Sequence, residues 1–103
     1  MNDNLILKSI LEKKRKNLYT NKKTIDQLRK ETETNGALIP LPKNTKFKRI
    51  LAGNVYAEWI SSGEVDNDKI FMFCHGGGYY RGSIASTRAT VARISAEAKV
   101  RCL

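Results

Sequence analysis

The residues with the clearest chemical potential are a histidine and three consecutive glycines, His75, Gly76, Gly77 and Gly78. They follow a short apolar run at residues 70–74 and precede a stretch with helical spacing. Glycine loses more backbone entropy on folding than any other residue, so three in succession indicate positive φ angles or a close approach of the backbone. We therefore predict a strand, a loop and a helix, with amide N–H groups of the loop directed into a pocket.

The order strand, His-Gly-Gly-Gly, helix is the oxyanion-hole arrangement of lipases and esterases with the α/β-hydrolase fold. From about residue 55 to residue 103 the chain resembles the hormone-sensitive-lipase-like branch of that family. The resemblance implies a carboxylic ester hydrolase that acts on a small-molecule ester or lipid through a serine acyl-enzyme. It assigns the oxyanion N–H donors to Gly77 and Gly78, the shape of the loop to His75 and Gly76, and substrate contact to Tyr79 and Tyr80.

The catalytic groups that such an enzyme needs are absent from the sequence. The family's nucleophile motif, Gly-x-Ser-x-Gly, occurs nowhere in the 103 residues. His75 is the only histidine, and the resemblance places the general base far downstream of the glycine loop. We expect no ester hydrolysis from these residues alone. Because α/β domains of this type usually exceed about 200 residues, we interpret the chain as an N-terminal portion that continues after Leu103.

The predicted fold class is α/β, the N-terminal part of an α/β-hydrolase with an incomplete sheet. Residues 1–42 contain two predicted helices, at residues 4–17 and 22–34, and a proline-containing connector. Asn35-Gly36 is the expected stop signal of the second helix. The resemblance implies that these helices contribute to a cap over the active site; an ordinary pair of surface helices is the alternative. Residues 43–103 would form the start of the hydrolase core.

The predicted core begins with a β-hairpin, residues 47–52 and 55–61, around Gly53-Asn54. Trp59 is expected to anchor the core. Residues 69–74 predict a strand covered on both faces, and a helix capped by Ser83 or Ser86 leads to a strand from residue 100. The resemblance places this last strand between the hairpin and the strand before the glycine loop. The expected apolar stripe of the helix is Thr87, Val91, Ile94 and Ala98, with Ser95 on its surface and Cys74 and Cys102 buried in strands.

The net charge of +9 resides mainly in the first half of the chain. Residues 1–50 hold 13 Lys and Arg against 5 acids, whereas residues 51–103 hold 6 against 5. The basic cluster at residues 13–16 suits a solvated helix end, so nucleic acid is not an expected partner. Two alternatives remain open: a basic protein that binds nucleic acid or a membrane surface, and a non-catalytic remnant of an interrupted hydrolase gene.

No cofactor or metal is predicted. A dinucleotide fingerprint would need glycine where Arg81 stands, and a phosphate-binding loop on Gly77 and Gly82 would need lysine in place of Ser83. One histidine and two distant cysteines give no paired-ligand spacing. Without a signal peptide or an apolar run of membrane-spanning length, the expected location is cytoplasmic. The oligomeric state stays open.

Overall fold

The computed structural model of the chain describes residues 3–20 and 23–103. The elements in chain order are α1 (Asp3–Thr20), α2 (Ile25–Ala37), β1 (Thr45–Ala52), β2 (Val55–Ser62), β3 (Asp66–Phe71), α3 (Ile84–Ala98) and β4 (Val100–Cys102). The strands form one open sheet in the order β1-β2-β4-β3, in which only β3 and β4 are parallel. This mixed α/β arrangement confirms the predicted fold class, and β4 lies between β2 and β3 as the resemblance implied.

Both N-terminal helices end later than predicted, at Thr20 and Ala37, and α2 also begins later, at Ile25. Helix α2 begins after Thr24, which forms a reciprocal capping box with Gln27, and it ends at Ala37. The predicted start at residue 22 lies outside the described residues. The predicted end was wrong because Gly36 lies inside the helix, where a Cβ atom would come within 2.5 Å of Ser86 Cα. Gly36 therefore permits a close approach of α2 to α3. No helix in the described part of the chain has the length and apolar character to cross a bilayer.

The hairpin forms with the predicted register around Gly53, and Thr45 pairs with Ser62 at its open end. One face of β2 is buried through Glu58, Ile60 and Ser62. Trp59 lies on the opposite face and is only half-buried, with the Arg101 guanidinium 4.3 Å from its ring centroid. The prediction of Trp59 as a core anchor was wrong, because α3 covers the other face of the strand.

The core is small and lies between α3 and the centre of the sheet. Its fully packed members are Ile60, Val91, Ala92 and Cys102. The predicted stripe of α3 was only partly right: Val91 is buried and Ile94 packs beside the core, but Ala98 is exposed. The helix instead turns small side chains to the sheet, which lets it approach closely. The buried residues of α3 are Ala89, Val91, Ala92 and Ser95.

Strand β3 differs most from the prediction. It spans Asp66–Phe71 and not residues 69–74, and every residue in it is exposed. Leu103 N–H donates to Phe71 O at 2.9 Å and Phe73 N–H donates to Leu103 O at 2.8 Å, so the ladder continues to residue 73. The strand is exposed because it forms the edge of this sheet. For the same reason Cys74 is exposed, whereas Cys102 on β4 is fully buried as predicted.

Ser95 connects three elements from inside the core. Its side chain is fully buried, so the prediction of a surface position was wrong. Ser62 N–H donates to Ser95 Oγ at 3.0 Å, and Ser95 Oγ donates to Val100 O at 2.7 Å. One hydroxyl therefore satisfies a donor on β2 and an acceptor on β4.

Replacing Ser95 by alanine is expected to lower the free energy of unfolding by about 1–3 kcal/mol, because the buried N–H of Ser62 and the partly buried carbonyl of Val100 lose their partner. Urea denaturation followed by circular dichroism measures the change. Thr90→Ala, at an exposed position of the same helix, is the control and should change stability by less than about 0.5 kcal/mol. Equal stability of the two variants would contradict the role assigned to Ser95.

Candidate active site

The glycine loop joins the edge strand β3 to α3, and its end is fixed by a helix cap. Ser83 is the N-cap residue: its Oγ accepts the N–H of Ser86 at 3.1 Å, and Ser86 Oγ accepts the N–H of Ser83 at 2.9 Å. This reciprocal capping box satisfies two donors at the helix start. The predicted cap is confirmed, with both candidate serines taking part.

The backbone of the loop concentrates positive φ angles in a short segment. Positive φ angles occur at Gly77 (143°), Gly78 (62°), Tyr79 (66°) and Gly82 (95°). The carbonyl of Gly77 accepts the N–H groups of Tyr80 and Arg81, at 3.3 and 3.1 Å. Sparsely populated backbone conformations of this kind persist where the surroundings fix them, and they cluster at functional sites.

Two glycines of the loop have no room for a side chain. A Cβ atom on Gly77 would lie 1.7 Å from Arg81 O, and one on Gly82 would lie 2.3 Å from Gly76 O. Gly76, by contrast, faces open space. The importance of Gly82 was missed in the sequence, where it entered only as part of a failed phosphate-loop spacing. The available signal was a further glycine just before the predicted helix cap, which indicates a second position without room for a side chain.

The amide groups assigned as oxyanion donors are accessible. Among the described residues, no acceptor receives a hydrogen bond from the N–H of Gly77 or of Gly78. Gly78 is exposed and Gly77 is half-buried. Neither N–H is therefore engaged within the described residues, which is a condition for an oxyanion hole.

The side chains around the glycines have different environments. His75 is exposed, and its Nδ1 donates to Gly76 O at 3.0 Å, a contact that suits a role in the shape of the loop. Tyr79 projects into solvent, whereas Tyr80 is half-buried, with the guanidinium of Arg81 5.3 Å from its ring centroid. In the described part of the chain, no three His, Cys, Asp or Glu side chains come close enough to hold a metal ion.

Two open clefts meet at this loop. The first, of about 770 Å³, runs along β2 and the start of α3 and has a largely apolar wall that includes Met72, Phe73 and Ile84. The second, of about 700 Å³, is lined by Arg29, Glu33 and the loop from His75 to Gly82, including both tyrosines. Because His75 and Gly82 line both clefts, the glycine loop forms their shared border.

Helix α2 contacts the loop through two charged side chains that the sequence did not single out. Arg29 Nε donates a hydrogen bond to Tyr80 O. Glu33 Oε2 accepts a hydrogen bond from Ser83 Oγ at 2.9 Å. They are separated in sequence from the loop by about 50 residues, so no local pattern could have indicated the pairing.

A partly buried ion pair joins β2 to α3, and its Glu58 lines the first cleft. Glu58 Oε1 and Oε2 accept hydrogen bonds from Arg88 Nε and Nη2, at 2.6 and 2.8 Å. The side chain of Glu58 is 4% exposed and that of Arg88 is 26% exposed. The hydrogen bonds to Glu58 raise the pKa of Arg88 against the opposing effect of desolvation. The guanidinium also lies 4.2 Å from the ring centroid of Phe47. The hairpin alternation had placed Glu58 on the face of Ile60, but it did not identify the cation.

Comparison with known proteins gives matches among solved structures. No protein-family model matches the chain, and the search of curated proteins found no match. An esterase from the bacterial hormone-sensitive lipase family is 33% identical over 85% of this chain and 30% of its own length, with a TM-score of 0.74. A mutant of esterase E40 is 30% identical over 99% of this chain and 34% of its own length, with a TM-score of 0.80.

More distant matches agree in fold. An esterase/lipase from an uncultured bacterium is 24% identical over 82% of this chain and 28% of its own length, with a TM-score of 0.74. The chain thus spans about a third of the length of these esterases. With its open α/β sheet and the glycine loop between β3 and α3, the chain belongs to the hormone-sensitive-lipase-like family of α/β-hydrolases.

Proposed function

We propose that this chain carries the oxyanion-hole part of a carboxylic ester hydrolase of the serine α/β-hydrolase type. The observation that supports the proposal best is the pair of amide donors on Gly77 and Gly78, which are accessible and donate to no described residue. Backbone N–H groups that are fixed before the reaction stabilise charge without a cost of reorganisation.

The chemistry follows from where charge develops. Attack on an ester carbonyl gives a tetrahedral intermediate whose oxygen carries the negative charge, and the N–H groups of Gly77 and Gly78 would donate to that oxygen. The absence of side chains on both residues leaves room for the acyl group. The largely apolar first cleft suits a small-molecule ester or lipid, with Tyr79 and Tyr80 at the border of the second cleft.

The donors alone do not complete a catalytic site. Serine hydrolases need a nucleophile, a general base and an orienting acid in hydrogen-bond reach of one another. The 103 residues contain no Gly-x-Ser-x-Gly motif, and the single histidine donates to Gly76 O and is not paired with a serine. Hence the role proposed for these residues is stabilisation of the intermediate, with the nucleophile supplied by other polypeptide.

The isolated chain is expected to hydrolyse p-nitrophenyl acetate and p-nitrophenyl butyrate no faster than an equal concentration of unfolded chain. Release of p-nitrophenolate at pH 7 measures the rate, and a serine-directed inhibitor provides the control. Turnover well above the unfolded chain and abolished by the inhibitor would contradict this expectation.

A chimera tests the proposed function itself. Residues 1–103 replace the matching third of the bacterial esterase that is 33% identical. The chimera is expected to hydrolyse p-nitrophenyl butyrate, while the same esterase lacking that third should not. A folded chimera without activity would argue against an oxyanion-hole role for this loop.

A further inference from the structure

We propose that helix α2 positions the glycine loop and that Arg29 and Glu33 are positioning residues for the amide donors of Gly77 and Gly78. The catalytic meaning of this inference rests on the proposed function. The structural part does not, because it concerns only the conformation of the loop.

The attachment of α2 is mainly polar. In this helix no residue is buried, and the apolar Ile25 is 55% exposed. The contacts with the rest of the chain use Arg29, Glu33 and Gly36, at positions i, i+4 and i+7. Residues with this spacing share one helix face. That face lies along the loop and the start of α3.

Arg29 acts on the peptide unit that closes the turn. The carbonyl of Tyr80 accepts from Arg29 Nε, while the N–H of Arg81, in the same peptide unit, donates to Gly77 O at 3.1 Å. Because a peptide unit is planar and rigid, holding both of its ends fixes its orientation. Its second bond is to the carbonyl of Gly77, which is in the same peptide unit as the N–H of Gly78. The guanidinium therefore fixes the proposed donor of Gly78 through one intervening peptide.

Glu33 acts on the other end of the loop. Its carboxylate accepts from Ser83 Oγ at 2.9 Å, and the same Oγ accepts the N–H of Ser86 to cap α3. One turn further along α2, Gly36 brings the backbones of the two helices together, with room for no Cβ atom. The segment from Tyr80 to Ser83 is thus bonded to α2 at both of its ends, and Gly77 is linked to it through the N–H of Arg81.

The arrangement couples the docking of α2 to the conformation of the donors. A positive φ at a residue with a side chain, as at Tyr79 (66°) directly after the two donors, persists only while the surroundings hold it. If α2 leaves α3, the peptide unit after Tyr80 loses its outer anchor, and the loop gains other conformations. Helix α2 would thereby control whether the N–H groups of Gly77 and Gly78 point at one oxygen.

Backbone ¹⁵N relaxation of the full 103-residue chain tests this coupling without any turnover. Arg29→Met should lower the order parameters of Gly77 and Gly78 from about 0.85, typical of rigid backbone, to below about 0.6. It should also shift the carbonyl ¹³C signal of Tyr80, while the signals of Val91 and Ala92 in the core stay unchanged. Arg29→Lys, which keeps a donor, should restore most of the rigidity.

Lys30→Met is the matched control, because it removes the same charge from the next, exposed position of α2 and should leave the loop signals unchanged. If Arg29→Met also disturbs the core signals, the order parameters of Gly77 and Gly78 are measured in Glu33→Gln instead. This variant weakens only the acceptor for Ser83 Oγ and should also make the two glycines more mobile. Rigid glycines in both variants, or equal effects of Arg29→Met and Lys30→Met, would overturn the proposal. A mobile loop in Arg29→Met together with an inactive chimera would leave α2 as a positioning element and reject the oxyanion role alone.

Discussion

Gly77→Ala in the chimera is expected to lower kcat by about 10² to 10³-fold, the usual cost of losing one oxyanion donor, with a much smaller change in KM. The added Cβ atom would lie 1.7 Å from Arg81 O, so the backbone has to move. The φ angle of 143° is also unfavourable for alanine. Both effects displace N–H groups that act on the charged intermediate more than on the neutral ester, which is why kcat should fall most.

Two glycine variants separate loop displacement from the general cost of alanine. Gly63→Ala places a Cβ atom at a φ of 71° in open space far from the loop, so it reports the cost of backbone strain alone. Gly76→Ala adds a Cβ atom to the same loop without a clash and should cost much less activity than Gly77→Ala. Steady-state kinetics with p-nitrophenyl butyrate measure all three. An unchanged kcat in Gly77→Ala, with the chimera folded, would reject the oxyanion assignment.

The elements that local chemistry determines could be predicted from the sequence. Gly53-Asn54 between two β-type runs gave the hairpin, and Ser83 with Ser86 gave the start of α3. The position of β4 within the sheet came from the family resemblance, since spacing alone carries no strand order. The limits of α2 were wrong because Gly36 serves a contact with α3 and does not end the helix.

Burial could not be predicted where it depends on what lies beside a strand. An apolar run such as residues 69–74 has the same pattern whether helices cover it or not. Here it lies at the sheet edge, with Ile70 56% and Met72 69% exposed. Trp59 and Ser95 were misplaced for a related reason. Alternation and helical spacing show which residues share a face of a strand or helix. The packing of α3 on β2 and β4 decides which of those faces is buried.

The site was predictable in its centre and not at its periphery. The residues of the loop are consecutive in sequence, so the glycine run located the loop, and the family resemblance supplied the roles predicted for its residues. Arg29, Glu33 and Glu58 line the clefts from other elements, and each is paired with a group 30 to 51 residues away. Charged residues on an amphipathic helix normally face solvent, and only the fold shows which of them also bond to another element.

Arg88→Met is expected to lower the free energy of unfolding by about 3–5 kcal/mol, because it leaves the carboxylate of Glu58 buried without its cation. Methionine keeps much of the apolar contact with Phe47, so the lost charge pair dominates the change. The pair joins β2 to α3, between which most of the core lies. Urea denaturation at pH 7 measures the loss.

The double variant Glu58→Leu with Arg88→Met distinguishes a lost partner from lost packing. Replacing both members of a buried ion pair by apolar residues is often neutral or stabilising, so the double variant should recover most of the loss. Arg93→Met, at an exposed position of α3, removes the same charge and should change stability by less than about 0.5 kcal/mol. If the double variant is as unstable as Arg88→Met, packing around the guanidinium and not its pairing with Glu58 holds α3 on the sheet. In that case apolar packing holds β2 and α3 together beside the first cleft, and the ion pair between Glu58 and Arg88 does not contribute to it.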